Sequence, residues 1–362
     1  MNQRATGEIV LLTGSSGFLG RRILDYLLED VNVKEVRGLD KVKFSLSHDK
    51  LKLFHCDLLD VESCREAFHN VDVVLHCAAY VSYEYPADRE KLEKNNVQAT
   101  QNVVDLSISS AVKRLVHCST TEVTLQPCIR GGIIAVTIYK QESKLEIPKI
   151  PSRLLFGDYA TSKLAAEKIV LQADRVGGLR TTVLRPTPIY GENDPHLLPE
   201  IMRWAKKRKN TLPRLGSGGK QQMTYVGNAA WAFVRAKDTM RDKIDAIAGL
   251  PVTVTDDTMV EDLTRFCERV TRSTKNHVKI TGWPIPLLVA YFLAFVLELL
   301  VSVGLLAKQK IAPRSFVAYL NSIIIYNRAR ASIHMNYWPK YNHEQTLAMA
   351  KSYYAHLCSD DD

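Results

Sequence analysis

One stretch near the start of the chain, Ile9 to Leu28 (IVLLTGSSGFLGRRILDYLL), limits what it can fold into more than any other. The unbroken apolar run Ile9-Val10-Leu11-Leu12 reads as a parallel strand buried on both faces. After Thr13-Gly14 the apolar residues fall at helical spacing instead: Leu19, Ile23, Leu24, Leu27 and Leu28. Between them stand Gly14, Gly17 and Gly20. A strand that enters a helix through such a turn aims free backbone N–H groups, and the positive end of the helix dipole, at one point that suits a pyrophosphate. Gly14 permits the tight turn, Gly17 the close approach of phosphate, and Gly20 the close packing of helix on strand. The spacing is Gly-x-x-Gly-x-x-Gly, not the more common Gly-x-Gly-x-x-Gly. Glycines alone are weak evidence, and the surrounding pattern decides.

A second apolar strand, Val33 to Leu39, ends in Asp40, twenty residues after Gly20. A carboxylate there accepts from both adenosine ribose hydroxyls and repels a 2′-phosphate, which favours NAD over NADP. The plainer alternative is a solvated turn aspartate before Lys41. The alternation then continues. A strand over Leu51–Cys56 ends at Asp57-Leu58, and a helix over Asp60–His69 has Asp60 as its N-cap. Val71–Cys77 is a strand opening into Ala78-Ala79, small enough for a cofactor to cross the strand end. A long helix over Asp88–Ser110 precedes the strand Arg114–Cys118, which ends in Ser119-Thr120-Thr121. This pattern predicts an α/β fold, a doubly wound parallel sheet with its ligand crevice at the carboxyl ends of the strands. His76 and His117 lie inside apolar strands and read as core histidines.

The formal charge of +9 suits an anionic partner without naming one. The cysteines show no metal-ligand spacing, so neither a metal site nor a disulfide framework is expected, and a reducing compartment is. The chain enters its first strand too early for a cleavable signal peptide. Lys206-Lys-Arg-Lys209 lacks the aromatic or groove-reading company of a nucleic-acid site and reads as a solvated or membrane-facing helix end.

Leu125 to Gly157, with its prolines and glycines, is expected to be a loop over the crevice. Tyr159 and Lys163 follow, sharing one face of a helix. An ammonium beside a phenol favours the phenolate and lowers its pKa from about 10. Such a tyrosine serves as general base for removing an alcohol proton during hydride transfer. The pair is common in helices; the glycine turn and the hydroxyls ending an earlier strand give it meaning.

With these residues in place the chain resembles an extended short-chain dehydrogenase/reductase, and within that class the 3β-hydroxysteroid dehydrogenase/Δ5-4 isomerase family. The matching pieces are TGSSGFLG (13–20), VRGLDK (36–41), CDLLD (56–60), VVLHCAA (73–79), NVQAT (96–100), CSTTEV (118–123), YATSK (159–163), LRPTPIYGENDP (184–195), YVGNAAWA (225–232) and TDDT (255–258). The resemblance implies a Rossmann domain with a small C-terminal substrate lobe. It implies Tyr159 as catalytic acid/base, Lys163 as its partner and ribose ligand, and Asn96 as support for the lysine. Thr120 stands where the family carries serine. For NAD it implies Gly14, Gly17, Phe18, Leu19, Gly20, Asp40, Asp57, Leu58, Ala78, Ala79 and Pro186 beside Tyr159 and Lys163. The implied reaction is oxidation of the 3β-hydroxyl of a steroid or sterol to a ketone. Isomerisation rests on the resemblance alone. Two rivals stand beside it: a sterol-4α-carboxylate 3-dehydrogenase, and a non-catalytic NAD-binding membrane scaffold. A homodimer, and attachment to endoplasmic reticulum or mitochondrial membranes, belong to the same implication.

Trp283 to Ala307 (WPIPLLVAYFLAFVLELLVSVGLLA) is the last unusual stretch. As one helix it would cross a hydrocarbon core of about 30 Å, with Glu298 as the sole interruption. A helix embedded from one side, or docked on its own protein, is the alternative. The expected divisions are therefore a cofactor domain at 1–190, a substrate lobe at 191–282, a membrane-associated segment at 283–307 and a C-terminal region at 308–362.

Overall fold

The computed structural model describes residues 7–127, 129–130, 133–134, 137–140 and 153–357. Seven parallel strands form the central sheet: β1 (Glu8–Thr13), β2 (Val33–Asp40), β3 (Leu51–His55), β4 (Val73–His76), β5 (Arg114–Cys118), β6 (Arg180–Pro186) and β7 (Pro251–Val254). Their spatial order is β7-β6-β5-β4-β1-β2-β3, so the winding reverses between β1 and β4. Val10 pairs with Val36 on one side and Val73 on the other.

The apolar run of β1 is continuous because helices cover both sheet faces. Val10 and Leu12 face a core shared with the Phe18–Glu29 and Val226–Asp242 helices, through Ile23, Leu27 and Phe233. Leu11 points the other way, into a core with Phe68, Val103 and Val170 from the Val61–Phe68, Ala99–Ser109 and Gly157–Gln172 helices. Asp60 caps its helix, accepting from Ser63 N. The helix expected over Asp88–Ser110 is broken in pitch: Arg89–Leu92 is α, Glu93–Gln98 is π, and Ala99–Ser109 is α again.

The expected divisions need correction. Strand β7 and the Val226–Asp242 helix, expected in a separate lobe, both belong to the sheet layers, because the helix buries Ala230, Ala232 and Phe233 against the sheet core. The C-terminal region is likewise not a unit. Ala329–Met335 packs on the Val226–Asp242 helix and β7, whereas Ile323–Tyr326 pairs with Lys220–Gln221 and with Thr137–Lys140. A third core, including Ile201, Tyr225, Phe266, Tyr319 and Tyr354, joins the lobe to Val123, Phe156 and Leu164 at the crevice.

The 283–307 segment is not one helix. Trp283 and Ile285 lie in the strand Lys279–Ile285, paired with Thr211–Leu215, and the helix occupies only Leu287–Ser302. Pro286 sits at its N-cap and Gly304, at φ +78°, ends it, with Leu305 N bonding Leu300 O in a Schellman-type close. At about 1.5 Å per residue this helix is roughly 24 Å long, shorter than a hydrocarbon core. Among the described residues no helix is long and apolar enough to cross a membrane. Glu298 turns inward and is 4% exposed.

Candidate active site

The crevice opens where the winding reverses, at the carboxyl ends of β1 and β4. Here Ala78 N donates to Thr13 Oγ1 (3.2 Å) and Cys77 N to Thr13 O (3.3 Å), drawing the two strand ends together. That closeness makes Gly14 obligatory: its φ is +73°, and a Cβ would stand 2.7 Å from Ala78 N. A Cβ on Gly20 would meet Gly14 O at 2.0 Å, so the helix seats on the turn only through glycine. Gly17 is the exposed N-cap of the helix and supplies no side-chain cap, leaving the first-turn N–H groups for a ligand.

Asp40 closes the turn from the side. Its Oδ2 accepts from Ser16 N and its Oδ1 from Val42 N, both at 2.9 Å. The carboxylate is thus oriented at the tip of β2, half-exposed, with lone pairs left for ribose hydroxyls. Asp57 holds Leu59 N at 3.0 Å, and buried Leu58 accepts from Asn102 Nδ2 at 2.8 Å. Phe18 and Leu19 are half-buried beside the cores, Ala78 is half-buried, and Ala79 is exposed. Pro186 lies at the end of β6, its carbonyl accepting from Thr121 Oγ1. The residues suit a dinucleotide: uncapped N–H groups, glycines at both ends of the turn, and a carboxylate on the adjoining strand.

Tyr159 and Lys163 are both buried, on the Gly157–Gln172 helix. Lys163 Nζ donates to Cys118 O (2.7 Å), the last residue of β5. Two residues on, Thr120 holds Glu122 N through Oγ1 (3.2 Å). Asn96 lies on the π turn and ties three pieces together: it accepts from Tyr80 N (2.7 Å) and donates to Tyr80 O (3.0 Å) and Ser162 Oγ (2.9 Å). Ser162 Oγ in turn donates to Tyr159 O (2.8 Å). The extra residue of a π turn re-aims side chains, and here it carries Asn96 to the residue before Lys163. Ser119 is fixed by Glu167 (2.7 Å), itself paired with Arg185.

The electrostatics differ from the sequence expectation in one respect. Burial pushes the Tyr159 phenol well above its ordinary pKa, with Glu122 and Cys118 adding to the rise. The expected lowering by Lys163 is absent because the ammonium is engaged at the Cys118 carbonyl, and burial lowers the lysine. His76 and His117 are core residues. His76 bridges Thr13 Oγ1 (2.8 Å) and Thr100 Oγ1 (3.0 Å), and burial pushes it down to about 3. His117 stacks on it at 5.1 Å and is held neutral the same way.

Two residues near the pair carried no sequence assignment. Tyr83 stands edge-on to Tyr159, ring centres 5.3 Å apart, and donates to Glu122 Oε1 at 2.9 Å. Glu122 is 1% exposed. Its charge directly after the Ser119-Thr120-Thr121 hydroxyls is the visible signal; Tyr83, brought in by a loop, leaves none. Most of the expected loop Leu125–Gly157 falls outside the described residues, and among those described no group of His, Cys, Asp or Glu is arranged to hold a metal.

Solved structures share the fold. Pal from Bacillus thuringiensis is 20% identical, with TM-score 0.67 over 96% of this chain and 99% of that one. UDP-glucuronic acid 4-epimerase from Bacillus cereus, in complex with NAD, is 18% identical, with TM-score 0.65 over 97% of this chain and 100% of that one. A UDP-galactose 4-epimerase is 16% identical, with TM-score 0.65 over 96% and 99%. The model of the 3-beta hydroxysteroid dehydrogenase/isomerase family matches residues 11–285, most of the chain. On that match, and with the glycine turn, Tyr159 and Lys163 set about one crevice, the chain belongs to the 3-beta hydroxysteroid dehydrogenase/isomerase family.

Proposed function

We propose that this chain oxidises the 3β-hydroxyl of a steroid or sterol-like alcohol to a ketone, with NAD as acceptor. One observation carries the reading: Thr120, Tyr159 and Lys163 converge at the carboxyl ends of β5 and its neighbours, beside a turn built for a dinucleotide. NAD supplies the hydride acceptor when bound. Gly14, Gly17 and the helix start at Phe18 receive its pyrophosphate, Asp40 its adenosine ribose, and Asp57 and Leu58 border the adenine. Thr120 holds the substrate oxygen by a hydrogen bond. Tyr159 takes the hydroxyl proton, and its burial keeps water from competing for that proton. Lys163, held at the Cys118 carbonyl, receives the nicotinamide ribose.

An apolar substrate suits the outer surface. The Leu287–Ser302 helix exposes Leu288 (65%), Phe292 (62%), Leu293 (56%) and Leu299 (51%), while its single charge faces inward. A contiguous apolar face of this kind marks an interaction surface. It rests in one leaflet of a bilayer, lying on the membrane without crossing it. The strap after this helix is sewn to the segment carrying Tyr83: Ala312 N donates to Tyr83 O (2.7 Å), and Tyr85 and Gln309 exchange backbone bonds. The lipid-facing helix is thereby linked to Tyr83, whose ring packs edge-on against Tyr159. The test is a panel of 3β-hydroxysterols, with and without a 4α-carboxyl group, incubated with NAD and the full chain in detergent. A ketone product identified by mass, with NADH formed in equal amount, is expected. No NADH from any member would refute the reading.

A further inference from the structure

Charge is spread unevenly along this chain, and the oxidation just described makes no use of the uneven part. Residues 201–237 hold nine lysines and arginines and no acid, and residues 269–343 hold ten against one, Glu298. That one is buried and paired with Arg314. The two stretches thus carry a surplus of eighteen positive charges where the whole chain carries nine, so the remainder is net negative by nine. The fold brings the two stretches together. Strand Thr211–Leu215 runs parallel to Lys279–Ile285, with Thr211 beside Lys279 and Lys279 N donating to Asn210 O (2.7 Å). Lys207, Arg208 and Lys209, which follow the Leu197–Lys206 helix, therefore adjoin Lys279. Arg272 and Lys275 lie in the connection from the Leu263–Thr271 helix to that same strand. All six residues are exposed, and none forms an ion pair among the described residues. The Arg208 guanidinium stacks on Trp204 instead, 3.7 Å from the ring centre. A ridge of like charges repels itself and attracts an anionic partner.

The place of the ridge says which anion. The strand that begins at Lys279 is seven residues long, about 20 Å at 3.3 Å per residue, and leads through Pro286 into the apolar Leu287–Ser302 helix. Trp283, 90% exposed, stands between the cations and the helix. Beyond Gly304, at the other end, Lys308 is again exposed. An apolar face bounded at both ends by exposed cations, with an indole at one boundary, repeats the layers of a lipid leaflet: acyl chains, interface, headgroups. We infer that the ridge of Lys207, Arg208, Lys209, Arg272, Lys275 and Lys279 is a headgroup contact that selects membranes carrying anionic phospholipid. This rests on the lipid-facing reading of the helix given above. The helix face enters acyl chains whatever the headgroup; the ridge adds the discrimination. Choline cancels the phosphate charge of a zwitterionic lipid, whereas an anionic lipid leaves a net negative surface. Each lysine or arginine near such a surface raises partitioning about fivefold. Continuity with the apolar face, which a polyanion such as RNA would leave uncovered, favours lipid over nucleic acid.

The experiment floats the full chain with vesicles of phosphatidylcholine alone and of phosphatidylcholine mixed with phosphatidylserine. In about 0.1 M salt the wild-type chain should partition roughly tenfold or more in favour of the mixed vesicles. In about 1 M salt, where the Debye length falls to about 3 Å, that gain should vanish while binding to phosphatidylcholine persists. The triple variant Lys207→Gln, Lys275→Gln, Lys279→Gln should bind phosphatidylcholine as the wild type does and lose most of the gain from phosphatidylserine. A control triple, Lys34→Gln, Lys113→Gln, Lys243→Gln, removes the same charge from exposed lysines elsewhere and should keep the gain. NAD binding by fluorescence quenching certifies each variant as folded. Equal partitioning into the two kinds of vesicle, or equal loss in the two triple variants, overturns the inference and leaves the lipid-facing helix standing. No gain from phosphatidylserine, together with binding of a single-stranded RNA that the ridge triple abolishes, assigns the ridge to nucleic acid and overturns the inference as well. A wild-type chain that floats with neither vesicle overturns the lipid-facing reading, and this inference with it.

Discussion

Glu298 accepts both the backbone N–H of Arg314 (2.9 Å) and its guanidinium Nε (2.6 Å), so the one charge of the apolar helix caps the start of the next helix. The carboxylate satisfies an orphan donor of the Pro313–Leu320 helix and a cation at once. Arg314→Met should therefore destabilise the chain by about 1–3 kcal/mol, since Glu298 stays buried without its partner while the half-exposed guanidinium was partly screened. The double change Glu298→Leu with Arg314→Met should recover most of that loss. Denaturant midpoints in detergent check both. A double variant no more stable than Arg314→Met would mean that the pair contributes nothing as a pair.

Asp40 should set cofactor choice. Its carboxylate is held by Ser16 N and Val42 N, and it should face the 2′-position of a bound adenosine ribose and repel a phosphate there. NAD should be used far better than NADP, and Asp40→Ala should narrow the gap, chiefly by raising KM for NAD. Initial rates with both cofactors decide; equal use by the unchanged chain refutes the assignment.

The sheet and the glycine turn were readable in the sequence because each depends on local pattern. An apolar run buried on two faces, three spaced glycines and a carboxylate at the next strand end are constraints met within about 30 residues, the length of one βαβ unit. What was not readable depended on distant partners. The Val226–Asp242 helix carries an amphipathic pattern that fits a lobe or a sheet layer equally well, and only its packing on the Phe18–Glu29 helix decides. Likewise Trp283–Ala307 is apolar throughout, yet pairing with Thr211–Leu215 makes its start a strand and Gly304 ends its helix. Glu122 and Tyr83 meet across 39 residues, a contact that no periodicity announces.

Tyr159 and Lys163 should fail differently. Tyr159→Phe removes the proton carrier alone, so turnover should fall by at least 1,000-fold, within the range for loss of an essential acid–base group, while NAD binding by quenching persists. Lys163→Met removes the ammonium at Cys118 O and the ribose contact, so both turnover and binding should fall. Most of the activity surviving in Tyr159→Phe would place the proton elsewhere.

Stability should follow the pH in a direction that Glu122 sets. Burial raises its folded pKa to about 7, above the ordinary glutamate value of 4.5. Folding therefore favours the protonated acid: that contribution is complete below about 4.5 and is lost as pH rises through about 7. Glu122→Gln is neutral at every pH and does not lose it. The variant should thus have a higher Tm than the wild type at pH 8.5, and the advantage should shrink steadily toward pH 5.5. Parallel melting curves over that range test it, and an advantage that grows on acidification would reverse the sign.

The outer face of the Leu287–Ser302 helix is the last test, and the structure dictates its form. Deleting the segment outright would remove the strand pairing of Ile285 with Leu215, the Glu298 cap and the small core of Ala290, Ala294 and Val317, so a soluble or aggregated product would report on folding. Substitution on the exposed side alone separates the two. Phe292, Leu293 and Leu299 make no part of that core and are each more than half exposed. Changing all three to serine should cost only what surface changes cost, about 0.5 kcal/mol per site. If the face rests in lipid, each large side chain withdrawn from it forfeits roughly 1.5–3 kcal/mol of burial. The triple variant should then leave the floating fraction with phosphatidylcholine vesicles and appear in the soluble fraction, while Glu298→Leu, facing protein, should gain no affinity for them. A triple variant that floats as well as the unchanged chain would show that lipid does not cover this face.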